Sequence, residues 1–94
     1  KACDLEIAEG CYNLGASYED GSGVKQNYKK AFELYSEACD LGFGDSCYNL
    51  GVLYFYGKGV EQDANTAKKY LNKACDLGSK AGCDGYRKLN EQGF

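Results

Sequence analysis

Two stretches of the chain carry the same stripe: Cys11, Leu14, Gly15 and Tyr18, then Cys47, Leu50, Gly51 and Tyr54. The spacing i, i+3, i+4, i+7 puts each set on one face of a helix. Both stretches run into Gly-x-Gly-Val turns, Gly21-Ser22-Gly23-Val24 and Gly57-Lys58-Gly59-Val60. Glycine there supplies the left-handed backbone of a helix C-terminus. A second stripe then follows each turn, Ala31, Leu34, Tyr35 and Ala38 in the first case and Ala67, Tyr70, Leu71 and Ala74 in the second. The pattern predicts two helical hairpins, with second helices from about Asn27 to Leu41 and from about Asp63 to Leu77. Asn27 and Asp63 suit N-caps, because a side-chain oxygen can accept an orphan amide. Asp45 is read as the N-cap of the second hairpin's first helix, and Gly42 and Gly78 as helix stops. Gly15 is expected opposite Ala31 and Gly51 opposite Ala67, letting paired helices approach closely.

The hairpins are copies. Cys3, Cys39 and Cys75 recur every 36 residues, as do Cys11, Cys47 and Cys83. A period of that size signals stacked supersecondary units. The third copy departs: where the others read Tyr-Asn-Leu-Gly it reads Asp84-Gly85-Tyr86-Arg87. An arginine replaces the small residue that a following helix would press against, which is how a capping helix reads. The expected organisation is a single repeat domain over 1–94: the tail of a preceding helix at 1–5, repeat one at 6–42, repeat two at 43–78 and a C-terminal capping helix at 79–94. The fold class is all-α, with local contacts throughout.

Ninety-four residues support one small domain whose core alone is marginal. Six cysteines in that length make a disulfide-scaffold composition and imply an oxidising compartment, secreted or periplasmic. With no histidine and no Cys-x-x-Cys, the sequence argues against a zinc site, and no cofactor is expected. The net charge of −3 argues against a nucleic-acid binder. No apolar run reaches the roughly eighteen residues of a membrane span. The chain lacks methionine and opens partway through a repeat, so it reads as a piece of a longer array. The pairs Lys29-Lys30 and Lys68-Lys69 read as solvated helix surface.

Leu14-Gly15-x-x-Tyr18, Gly21-x-Gly23-Val24 and Ala31, repeated as Leu50-Gly51-x-x-Tyr54, Gly57-x-Gly59-Val60 and Ala67, resemble Sel1-like repeats, relatives of tetratricopeptide repeats. The added cysteine pairs resemble the Helicobacter cysteine-rich proteins, a secreted branch of that family. The resemblance implies an α/α superhelix, or solenoid, cross-linked by disulfides. Two pairings are compatible with such hairpins. Joining Cys11 to Cys39 and Cys47 to Cys75 leaves Cys3 and Cys83 without partners. Joining Cys3–Cys11, Cys39–Cys47 and Cys75–Cys83 uses all six, and is the expected scheme.

The resemblance also raises β-lactam binding, with weak β-lactamase activity, and a cell-wall-derived small molecule as ligand. The chain has one Ser-x-x-Lys, Ser22 to Lys25. In serine β-lactamases that spacing works because the serine heads a helix and the lysine lies one turn along it. Here it falls in a glycine-flanked turn, without the companion motifs, and no catalytic residue is assigned.

The preferred expectation is a scaffold that binds an extended peptide or partner protein in the concave groove lined by the first helices of each hairpin. Asn13 and Asn49 recur one period apart beside Leu14 and Leu50. Their amides offer donor and acceptor to a peptide backbone, the other reading being a helix-to-helix hydrogen bond. Tyr12 and Tyr48 are candidates either for the groove or for the core between hairpins. Phe55 and Tyr56 are read as groove residues, since aromatic rings give rigid contact area. Arg87 and Lys88 offer charge to a peptide's acid end. A further reading is a spacer segment whose binding repeats lie elsewhere.

Overall fold

The computed structural model describes residues 7–94. Five helices follow one another: α1 (Ala8–Asp20), α2 (Tyr28–Asp40), α3 (Gly44–Tyr56), α4 (Ala64–Asp76) and α5 (Lys80–Glu91). Among the described residues there is no strand. α1 pairs with α2 and α3 with α4, while α5 packs on α4 and touches α3. The stack is elongated, 37 × 24 × 17 Å. It is an all-α solenoid of hairpins cross-linked at their corners.

Each hairpin turn is built the same way. Gly21 (φ 77°) and Gly57 (φ 69°) take the left-handed conformation that ends α1 and α3. The backbone N–H of Asn27 then donates to the Tyr18 carbonyl, and that of Asp63 to the Tyr54 carbonyl, both at 2.9 Å. Asn27 Oδ1 accepts from the Lys30 amide and Asp63 Oδ1 from the Thr66 amide, each at 3.1 Å, so both predicted N-caps are in place. Two residues not singled out from the sequence reinforce the turns. Gln26 Nε2 donates to the Glu19 carbonyl at 2.7 Å, and Gln62 Nε2 to the Phe55 carbonyl at 2.8 Å. Each ties the loop back to an otherwise orphaned carbonyl in the last turn of the preceding helix.

The corners between hairpins carry the disulfides. Cys39–Cys47 and Cys75–Cys83 are bridged, with Cα atoms 4.8 and 4.5 Å apart. That is the local scheme, and it excludes pairing Cys39 with Cys11 or Cys47 with Cys75. The expected Cys3–Cys11 bridge and the helix tail at 1–5 lie outside the described residues, because 1–6 do.

Three sequence expectations need correction. Asp45 is not an N-cap: α3 begins at Gly44 with Phe43 as its cap, and Asp45 sits exposed in the first turn. There its charge still faces the positive end of the helix dipole. The helix starts early because the Phe43 N–H bonds to the Ala38 carbonyl at 3.0 Å, turning the chain at once. Gly15 faces Tyr35 rather than Ala31; a Cβ there would lie 2.8 Å from the Tyr35 ring. Lys68 is more than solvated surface: its Nζ donates to the Phe94 carbonyl at 2.7 Å and lies 5.6 Å from the Tyr86 ring centre.

The core runs through the hairpins, with Ala31, Leu34, Tyr35, Ala38, Leu50 and Leu53 all but fully buried. The stripe of α2 is buried as expected. In α4, Ala67, Leu71 and Ala74 are buried and Tyr70 is half-buried. Tyr70 lies flat against Tyr54, centroids 5.6 Å apart, and Phe32 meets the Tyr54 edge at 5.4 Å. That ladder of rings ties α2, α3 and α4 together across the repeat boundary.

Candidate functional site

The first helices of the copies, α1, α3 and α5, carry every residue singled out for a groove, and the structure divides them into two environments. At the junction between α1 and α3, Tyr12 is half-buried, its ring 5.9 Å from Tyr35 and 5.2 Å from Phe43. Tyr12 thus fills space between hairpins. Tyr35 is fully buried from α2, and its hydroxyl donates to Glu19 Oε1 at 2.7 Å. Burial raises the Tyr35 pKa well above the usual tyrosine range. The Glu19 carboxylate adds to that by accepting the proton's hydrogen bond, and a hydrogen bond with the Asn49 side chain opposes both. Asn49 is half-buried beside Tyr35, while Asn13, one period earlier, stands exposed on α1.

At the junction between α3 and α5 the surface opens. A cavity of about 190 Å³ lies between the two helices, floored by Leu71 of α4. Tyr48 and Phe55 form its α3 wall, Tyr56 lines it from the end of that helix, Lys88 reaches it from α5 and Gln92 from the C-cap of α5. Gly51 and Gly85 leave the backbone bare beside Leu71, where a Cβ at Gly85 would stand 3.3 Å from Leu71 Cδ1. Tyr56 is 62 % exposed, an unusual amount for so large a ring, and Phe55 sits edge-on to it with centroids 5.1 Å apart. Phe94 meets the other side of Phe55 at 5.7 Å. The structure thus gathers Tyr48, Phe55, Tyr56 and Lys88 around one cavity. Asn13, Tyr12 and Asn49 do not line it. Arg87 does not either, since its guanidinium is paired with Asp84 at 3.1 Å along α5.

Ser22 and Lys25 are both exposed in the first hairpin turn. The Ser22 amide bonds back to the Ser17 carbonyl at 2.9 Å as part of the end of α1. Ser22 therefore does not head a helix, and Lys25 does not lie one helical turn along from it. Among the described residues no group of three or more His, Cys, Asp or Glu side chains is placed to hold a metal ion. Among the same residues no helix is long and apolar enough to cross a membrane.

Repeated hairpins, glycine-ended first helices and corner disulfides define a class of disulfide-bridged helical-repeat protein. The chain matches the Sel1 repeat family over residues 8–43 and 44–79, and it belongs to that family. Among its relatives are Helicobacter cysteine-rich proteins. The structure of Helicobacter pylori cysteine rich protein B superposes with a TM-score of 0.82 at 43 % identity, covering 87 % of this chain and 62 % of that one. A Sel1 repeat protein from Oxalobacter formigenes superposes with a TM-score of 0.88 at 27 % identity, over 92 % of this chain and 35 % of that one. Beta-lactamase HcpA of Helicobacter pylori is 50 % identical over 34 residues, 36 % of this chain and 14 % of HcpA. The chain thus spans only part of the length of each relative. Disulfides at the repeat corners fit an extracytoplasmic setting, because cytosolic thiols are kept reduced.

Proposed function

We propose that the chain is a secreted or periplasmic binding scaffold that holds an extended peptide segment of a partner protein along α1, α3 and α5. The observation that carries this reading is the α3–α5 cavity, where Tyr48, Phe55 and Tyr56 present aromatic surface beside a lysine. Rigid rings on a disulfide-braced support give contact area at small entropic cost. Asn13, exposed one helix away, offers an amide to the peptide backbone. Panning a phage-displayed random heptapeptide library against the folded chain tests the proposal. Enriched peptides should lose affinity when Tyr48 or Tyr56 is changed to alanine. Failure to enrich any peptide overturns it.

The name of HcpA supports a second reading, β-lactam binding with weak hydrolysis. Two features weigh against it. The α3–α5 cavity, at about 190 Å³, is smaller than the roughly 300–1,000 Å³ of sites that engulf a small molecule. Ser22, the serine of the lone Ser-x-x-Lys, sits in a turn. Turnover of a chromogenic cephalosporin should be absent or unchanged by Ser22→Ala. A loss beyond about tenfold, equivalent to roughly 1.4 kcal/mol in the transition state, would restore a serine nucleophile.

A further inference from the structure

The repeats allow the two junctions to be compared position by position. At the first, the Tyr35 hydroxyl is held by the Glu19 carboxylate at 2.7 Å, with the half-buried Asn49 beside them. One period further along, the same three positions are Phe55, Leu71 and Gly85. A carboxylate has become a phenyl ring, a buried phenol a shorter aliphatic chain, and an amide has been removed altogether. The architecture that is filled and polar at the first junction is therefore open and apolar at the second. All three replacements line the cavity between α3 and α5.

We infer that this cavity is a specificity pocket for one apolar side chain of the bound peptide, and that the peptide carries a carboxylate two residues from that anchor. The inference rests on the groove reading above and names what the groove selects. Size sets the first half: about 190 Å³ is short of a small-molecule site and takes a single large side chain. Burying such a side chain fully against Leu71 and Phe55 is the main source of affinity available here.

Charge sets the second half. The whole chain is acidic, with 14 Asp and Glu against 11 Lys and Arg, yet among the described residues the cavity lining holds one lysine, Lys88, and no carboxylate. A second cation, Lys58, lies 5.8 Å from the centre of the Tyr56 ring at the same end. In an extended peptide, side chains two residues apart share a face, about 6.6 Å from one another. An acidic residue at that spacing reaches Lys88 while the anchor fills the pocket.

The test begins with the heptapeptide panning and continues with enriched synthetic peptides titrated by fluorescence anisotropy. The titrations compare the unaltered 94-residue chain with Gly85→Asn, Lys88→Gln and Asn13→Ala. Gly85→Asn installs the residue the second copy has at this position and narrows the cavity. Enriched peptides should pair an apolar residue with Asp or Glu two positions away. Gly85→Asn should weaken them at least tenfold. Lys88→Gln, an exposed change that leaves the packing alone, should weaken them and flatten their salt dependence. Peptides that bind Gly85→Asn and Lys88→Gln as well as the unaltered chain, but lose affinity for Asn13→Ala, overturn the pocket and leave the groove standing. Absence of any enriched peptide overturns both.

Discussion

The buried hydroxyl of Tyr35 donates to the Glu19 carboxylate across 2.7 Å, joining α2 to the last turn of α1. Burial, and then the carboxylate, push the Tyr35 pKa upward. A tyrosine with a raised folded pKa contributes stability that is fully present below its unfolded value of about 10. As pH rises past that value the unfolded chain loses its proton first, and stability falls until the folded pKa is reached. Urea unfolding should therefore show an alkaline loss of stability that is smaller in Tyr35→Phe. At neutral pH the same substitution should cost about 1.5–3 kcal/mol, the net worth of a hydrogen bond to a charged group. An alkaline slope identical in the two proteins counts against this account.

Cys39→Ser combined with Cys47→Ser should lower stability by about 2–3 kcal/mol. Bridging residues eight apart restricts the unfolded chain by that much in the chain-entropy model. Chemical denaturation with and without reductant measures the effect. A double variant as stable as the oxidised protein would show that helix packing alone holds the corner.

Ser46 is fully buried and its hydroxyl has no hydrogen-bond partner among the described residues. The equivalent positions in the other copies are Gly10 and Gly82. An unpaired buried hydroxyl costs about 1–3 kcal/mol of desolvation. Ser46→Ala removes that cost while keeping the Cβ, so it should leave stability unchanged or raise it by about 1 kcal/mol. A thermal melt showing clear destabilisation would mean that the hydroxyl has a partner in solution.

Asn13 and Asn49 share a repeat position but not an environment. Asn13→Ala should leave the melting temperature where it is, because its side chain is exposed. Asn49→Ala should lower the melting temperature, because that side chain is half-buried beside Tyr35. Titrating one groove peptide against both variants separates stability from binding. Equal melting temperatures would place the Asn49 amide outside the core network.

What could be read from the sequence was whatever is enforced locally and repeated. Gly21, Gly57, Asn27 and Asp63 act within a turn or two of themselves, so their residue types at one spacing sufficed. The corner pairing was legible because Cys-x7-Cys recurs across the copies. Gln26 and Gln62 were missed because each acts seven residues back across a turn, where no helical or strand periodicity points. Asp45 was misplaced because the turn at Phe43 closes faster than an N-cap at that position needs. The cavity is a different case: it is a gap left by three residues on three helices, and no single stretch contains it. The signal was present all the same, in the exchange of Glu19, Tyr35 and Asn49 for Phe55, Leu71 and Gly85 one period on.

The two bridges also change what a cut in the chain means. Leu41 and Gly42 are exposed between Cys39 and Cys47, and Leu77 and Gly78 between Cys75 and Cys83. Exposed corners of this kind are where proteolytic nicking concentrates. Because each corner is a closed covalent ring, a single hydrolysed peptide bond there opens the ring without parting the molecule. Hairpins on either side stay fastened through sulfur, in the register that the uncut chain gave them. A nick at either corner therefore leaves the helices on its two sides covalently joined.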